Sequence, residues 1–212
     1  MTTKKVRMKP LEPPFEPQVE EALHQRMPRT SAVTPLALFR LLVRDDALSS
    51  AMMSMGRFNL GYEPGRLTSV APHDREVIIQ RVCLRCGCEY EWGVHVAAFA
   101  SAVGLPHSQA EALACVPLQA EVPPRELLLA HFVDKLHDSA GVDDELWEQL
   151  REHWSEQAIL QMLMLVGWYH GISYIANVAR LPPESGRQDG LLEVARSWLL
   201  ESPCSASAGR SR

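Results

Sequence analysis

The stretch Cys88-Glu89-Tyr90-Glu91-Trp92-Gly93-Val94-His95 packs a thiol, two carboxylates, a phenol, an indole and an imidazole into eight residues. Read as a helix, at about 100° per residue, it places Cys88, Glu91, Trp92 and His95 on one stripe, with Glu89 and Val94 elsewhere. A thiol, a carboxylate and an imidazole on one face form a path along which a proton can pass. The rest of the chain reads as the helical scaffold that buries this stripe.

Working upstream, Pro72 opens a helix with Asp74 and Glu76 in its first turns, where acids suit the helix dipole. Its apolar face is Val77, Ile78, Ile79 and Val82, and Gly87 is expected to break it near Cys86. The next helix starts at or just before Cys88 and ends at Gly104, a good C-cap. Before these, Glu16 to Met27 reads as a short amphipathic helix, Thr34-Pro35 as the start of one to about Arg44, and Ala47 to Leu60 as another. Downstream come a short helix from Ser108 to Cys115, one from Pro123-Pro124 to about His137, one capped by Asp143 to about His153, and a long apolar one capped by Ser155. No strand pattern is found. The fold class is therefore all-α. Residues 1–15 are expected to form an extended arm, 16–200 a single helical domain, and 201–212 a disordered tail. A weak internal repeat is visible: Pro72-His73-Asp74-Arg75-Glu76 and Pro124-Arg125-Glu126 each precede three apolar residues. Matches of this quality also arise by chance.

Composition narrows the partners. The 212 residues are 46% hydrophobic and 22% charged with net charge −5, and there is no basic block, which disfavours nucleic acid. The basic N-terminus is followed by no apolar run, so no secretory signal is read there. Five cysteines, an odd number, point to reduced thiols and a cytoplasmic setting rather than to a disulfide framework. The apolar segment 159–179 is long enough to span a membrane, but Gln161, His170, Ser173 and Asn177 interrupt it. A buried central helix of a bundle is the favoured reading, with no membrane partner.

The stripe carries the chemistry. Cys88, at a helix start, gains thiolate stabilisation from the dipole, and Glu91 beside it works against that. His95 is four residues past Glu91 and titrates near neutrality. If the helices before and after Gly87 pack as an antiparallel hairpin, Glu76 faces the level of His95. That gives a path Glu76, His95, Glu91, Cys88. The bland alternatives stand beside it: a cysteine at a helix start is usually a small buried hydrophobe, and a Glu and His four apart are often a surface pair. Cys83-Leu84-Arg85-Cys86 has CxxC spacing, but only Cys88 and His95 are near enough in sequence to complete a metal site, so none is expected. His131 and His137 have no such neighbours and read as scaffold.

These residues resemble the carboxymuconolactone decarboxylase and AhpD-type alkylhydroperoxidase superfamily. The AhpD pattern is Glu, eleven residues, Cys, two residues, Cys, three residues, His. Glu76, Cys88, Glu91 and His95 stand at that spacing, with Glu91 in place of the second, peroxide-reacting cysteine. A Glu four residues before the His resembles the decarboxylase branch, as do the phrase Gly87 to His95 and Tyr169-His170 followed by Asn177. The resemblance covers roughly residues 10–183. It implies an AhpD-like helical bundle that forms homo-oligomers (dimer, trimer or hexamer), with the site deep between helices near a subunit contact.

Three functions follow. The first is a cofactor-free lyase of the decarboxylase type acting on a small carboxylated or lactone substrate. Its catalytic residues would come from Glu76, Cys88, Glu91 and His95, its pocket from Tyr90, Trp92, Tyr169 and His170, and its carboxylate clamp from Arg81 or Arg85. The second is a thiol peroxidase using Cys88, resolved by Cys86 or an external thiol. The third is a non-catalytic helical binding or assembly protein. A metal enzyme ranks last.

Overall fold

The computed structural model describes residues 5–26, 35–61, 68–100, 103–113, 115, 118 and 122–184. Nine α-helices occur among them: α1 (Pro17–Arg26), α2 (Ala37–Leu42), α3 (Asp46–Asn59), α4 (Pro72–Arg85), α5 (Glu89–His95), α6 (His107–Leu113), α7 (Pro124–Ser139), α8 (Asp144–His153) and α9 (Glu156–Ala179). No strand is present in the described residues, as the absence of a period-two pattern led us to expect.

Local chemistry sets the boundaries. Pro72 and Pro124 sit in the first turns of α4 and α7, where a missing N–H leaves no bond unmade. The side chains of Asp45, Asp143 and Ser155 accept from the backbone N–H groups of Leu48, Leu146 and Ala158 and so cap α3, α8 and α9. Gly87 has φ +58° and separates α4 from α5; at that conformation a side chain is strained. The single helix expected from Cys88 to Gly104 is not continuous. After His95 the backbone switches to a π-helical turn over Val96–Ala100. The expected start at Thr34 and the tail beyond residue 200 lie outside the described residues.

α4 is the central helix. Nine of its residues are buried, among them Val77, Ile78, Ile79 and Val82. It runs parallel to α7, because paired residues climb both helices together: His73 with Glu126, Asp74 with Arg125, Arg81 with Asp134 and Arg85 with Asp138. The two similar segments that begin α4 and α7 thus lie side by side. α4 is parallel to α9 as well, with Ser69 N–H donating to Gln161 at 2.8 Å and Asn177 donating to the Cys86 carbonyl at 2.8 Å. α5 folds back antiparallel on α4. Six of its seven residues are buried, because α4 and α9 enclose it.

Residues 5–12 run as an extended arm. Arg7 and Met8 donate backbone N–H groups to the Ala179 carbonyl at the end of α9, and Leu11 to Arg40. α9 is long and apolar enough to cross a membrane by length and composition. One face, including Ile159, Met162, Leu165, Tyr169 and Ala176, is buried in the bundle, whereas Leu160, Met164, Tyr174 and Val178 are exposed on the other. Among the described residues, α3, α4 and α5 pack on this helix and leave that second face exposed.

Candidate active site

The antiparallel turn at Gly87 brings α5 back along α4, and α9 closes over both. Three side chains from these helices meet at His95. Its Nδ1 lies 3.0 Å from Oε2 of Glu76 on α4. Its Nε2 lies 3.0 Å from the hydroxyl of Tyr169 on α9 and 3.6 Å from Oε1 of Glu91, one turn earlier on α5. Phe99, in the π-helical turn, stacks at 4.9 Å between ring centroids, and Tyr169 meets the imidazole edge-on. Gln80, one turn after Glu76, donates to the other oxygen of that carboxylate at 3.1 Å. Each of these groups except Phe99 is buried.

Burial alone would lower the pKa of His95. The Glu76 carboxylate, and behind it Glu91, outweigh burial and raise it to about 10. At neutral pH the ring is therefore an imidazolium that donates from Nδ1 to Glu76 and from Nε2 towards Tyr169. Burial also pushes the Tyr169 phenol up, with Glu91, Cys83 and Glu76 adding to it and only Arg75 opposing. Tyr169 is thus held as a neutral hydroxyl.

Cys88 departs from expectation. It caps the N-terminus of α5, where the dipole favours a thiolate, yet its pKa is raised to about 11. Burial is the main cause. The Glu91 amide and Ser173 hydroxyl pull it down, but the Glu91 carboxylate pushes it up. Seven residues of helix give too little dipole to offset a side chain that is 1% exposed. Glu91 therefore touches His95, but the last link of the sequence-based path, from Glu91 to Cys88, is made through backbone rather than side chain.

The remaining residues singled out in the sequence fall in different places. Tyr169 is at the centre. Trp92 is buried in the hydrophobic core. Tyr90 turns towards α2: its hydroxyl donates to Glu184 and accepts from Leu38 N–H at 3.0 Å, so it anchors the chain rather than facing His95. His170 is one step round α9 from Tyr169 and meets His137 of α7, with Nε2 to Nδ1 at 2.9 Å. The reading of His137 as a residue without relevant neighbours is corrected by this contact, which arises because α7 and α9 both pack on α4. Cys86 stands with the two histidines, and those three are a group among the described residues able to hold a metal ion.

Arg81 and Arg85 do not serve as a carboxylate clamp. Arg81 is fully buried, with Nε and Nη2 on Asp134 at 2.8 and 2.6 Å and Nη1 on the carbonyls of Leu113 and Cys115. Arg85 pairs with Asp138 and lies 3.6 Å from Asp134. Arg75 is the cation whose charge bears on Tyr169. Sequence reasoning missed Gln80, Ser173 and Arg75. The first two were open to it, each lying four residues after a member of the site on the same helix face. An acidic groove of about 400 Å³ between α7 and α8, lined by residues such as Asp134, Asp138 and Asp143, contains none of the His95 constellation.

No family model matches the chain, and no curated protein matches it in sequence. Solved structures do match in fold. A peroxidase-related protein from Silicibacter sp. TM1040 superposes with a TM-score of 0.68 at 17% identity, covering 88% of this chain and 97% of its own. The debrominase Bmp8, as a cysteine-to-alanine variant in complex with 2,3,4-tribromopyrrole, gives a TM-score of 0.68 at 14% identity over 94% of this chain and 98% of its own. Apo Bmp8 gives the same score at 13% identity. The fold is thus the AhpD-like all-α bundle that the spacing of Glu76, Cys88, Glu91 and His95 resembled.

Proposed function

We propose that the chain is an enzyme carrying out acid–base chemistry on a small molecule, of the lyase or decarboxylase type, with His95 as the proton-transfer group. One observation carries this reading: a buried imidazole whose Nδ1 lies on Glu76 while Nε2 faces Glu91 and Tyr169. Decarboxylation of a lactone acid leaves a carbanion-like centre that needs charge delocalisation and then a proton. His95 Nε2–H supplies that proton, Glu91 accepts or returns one at the same nitrogen, and Glu76, braced by Gln80, holds the ring. These steps use only the chain's own side chains. The charge of Arg75 bears on Tyr169, whereas Arg81 and Arg85 are engaged by Asp134 and Asp138.

The test is a panel of small carboxylated lactones, followed by carbon dioxide release, against the parent protein and the Glu91→Gln and His95→Gln variants. Turnover by the parent and its loss in both variants is the expected result. Intact turnover in Glu91→Gln on a verified substrate would remove Glu91 from the chemistry.

A second reading is thiol chemistry at Cys88, favoured by the fold shared with a peroxidase-related protein and with a debrominase crystallised as a cysteine variant. The Cys88 thiolate would attack a peroxide oxygen, forming a sulfenic acid and releasing the alcohol or water. Its raised pKa argues for the first reading over this one. Mass spectrometry after stoichiometric peroxide separates them, since the acid–base enzyme leaves Cys88 unoxidised. For partners, we infer a homo-oligomer that uses the exposed apolar stripe of α9, including Leu160, Met164 and Val178.

A further inference from the structure

A second group of reactive side chains lies apart from His95, where the end of α4 meets α7 and α9. Cys86 is the C-cap of α4, with φ −82° and ψ −3°, and Gly87 follows in the left-handed region. That turn carries the thiol out of the α4 axis, towards His137 on α7 and His170 on α9. One ligand atom from each of the three residues lies within 4.8 Å of the other two. All three side chains are half-buried, so an ion can reach them from solvent.

The His170 ring is set for ligation. His170 Nδ1 is 2.9 Å from the Val166 carbonyl, which can only accept, so Nδ1 carries the proton and Nε2 offers a lone pair. That lone pair meets Nδ1 of His137 at 2.9 Å. The Cys86 backbone is pinned by Asn177, and its thiol stands beside Ser173 and near the charge of Arg85.

We propose that Cys86, His137 and His170 form a zinc site, with a fourth, open position for water or an external ligand. Two imidazoles and one thiolate with an exchangeable fourth ligand make a donor set suited to tetrahedral Zn²⁺. Bond lengths of about 2.0–2.1 Å to nitrogen and 2.3 Å to sulfur place such ligands roughly 3.3–3.6 Å apart. From the 2.9 Å and up to 4.8 Å separations present, the two nitrogens need to spread slightly and the sulfur to close by at most about 1.3 Å. On binding, His137 moves its proton from Nδ1 to Nε2, and the Cys86 thiol releases its proton to solvent. Sulfur then forms the S–Zn bond with no change of oxidation state.

The experiment titrates Zn²⁺ into the full chain against a chromophoric chelator, and repeats it with Co²⁺ for its spectrum. One zinc per chain is expected, with a thiolate-to-cobalt charge-transfer band in the near ultraviolet. Cys86→Ser, His137→Gln and His170→Gln should each weaken zinc binding by more than the roughly 10–100-fold that loss of a merely orienting partner causes. Cys86→Ser should also lose the charge-transfer band. His137→Cys restores a ligand and should retain zinc. His131→Gln and Cys88→Ser leave the site intact and should bind as the parent does. Circular dichroism checks that each variant keeps its helix content. No stoichiometric zinc in the parent would overturn the proposal, as would undiminished binding in folded Cys86→Ser and His170→Gln proteins.

Discussion

Replacing Glu76 with glutamine removes the charge that does most to keep His95 protonated and leaves the shape of the site almost unchanged. The carboxylate stands 3.0 Å from His95 Nδ1. Two unit charges at that separation interact by roughly 5–6 kcal/mol at an effective dielectric of about 20. Burial works against the imidazolium, Glu91 at 3.6 Å supports it, and the balance sets the pKa at about 10 instead of 6.5. Without the larger carboxylate contribution, and with burial undiminished, His95 should hold its proton at least roughly a hundredfold more weakly, or about 3 kcal/mol. Histidine-selective NMR follows the Cε1 proton of His95 against pH in the parent and in Glu76→Gln. Stability gives a second readout. Because folding raises this pKa, the pair stabilises the native state fully below pH 6.5, and that contribution is lost as pH rises through about 10. The stability difference between parent and variant should therefore shrink across that window. A parent His95 that titrates near 6.5, or a variant that titrates like the parent, would refute the ion-paired imidazolium.

Trp154→Phe takes one donor from the buried Asp74 carboxylate, which Trp154 Nε1 meets at 2.8 Å and Arg125 grips from the other side; denaturant unfolding should show a loss of about 1–3 kcal/mol. Gly61→Ala forces a side chain at φ +72° and displaces the Arg75 guanidinium, so the same assay should show a loss of about 1–2 kcal/mol. In the metal-free protein, iodoacetamide should label the half-buried Cys86 before Cys88, whose thiol is raised to about 11, as mapped by peptide mass spectrometry; labelling in the reverse order would contradict the burial of Cys88.

The bundle and the His95 constellation were legible in sequence because both rest on local periodicity. Helix starts were marked by Pro72, Pro124, Asp143 and Ser155, and the spacing of Glu76, Glu91 and His95 placed them at one level once Gly87 was read as a hairpin. Two of the misses were products of packing between distant elements. The parallel run of α4 and α7 couples Arg81 to Asp134, 53 positions away, and that engages an arginine which looked free for substrate. His137 and His170 are 33 positions apart and meet only because α7 and α9 flank the same end of α4. The π-helical turn after His95 has no marker in Val96-Ala97-Ala98-Phe99-Ala100, a run that suits an ordinary helix equally well.

Cys86 connects the two halves of this molecule, and it cannot serve both. For peroxide chemistry at Cys88, Cys86 is the neighbouring thiol available to resolve a sulfenic acid, and both sulfurs lie beside the buried Ser173 hydroxyl. That reaction needs Cys86 free to reach Cys88, with loss of water and formation of an S–S bond. A zinc ion on Cys86, His137 and His170 would engage the same sulfur and draw its electron pair into a metal bond. The zinc-loaded protein should then resist both alkylation at Cys86 and formation of a Cys86–Cys88 disulfide. The acid–base reading makes no demand on Cys86, since Glu76, Glu91, Tyr169 and His95 form their contacts without it. A zinc site at the end of α4 and proton-transfer chemistry at its middle are therefore compatible, whereas zinc and an intramolecular thiol peroxidase exclude each other.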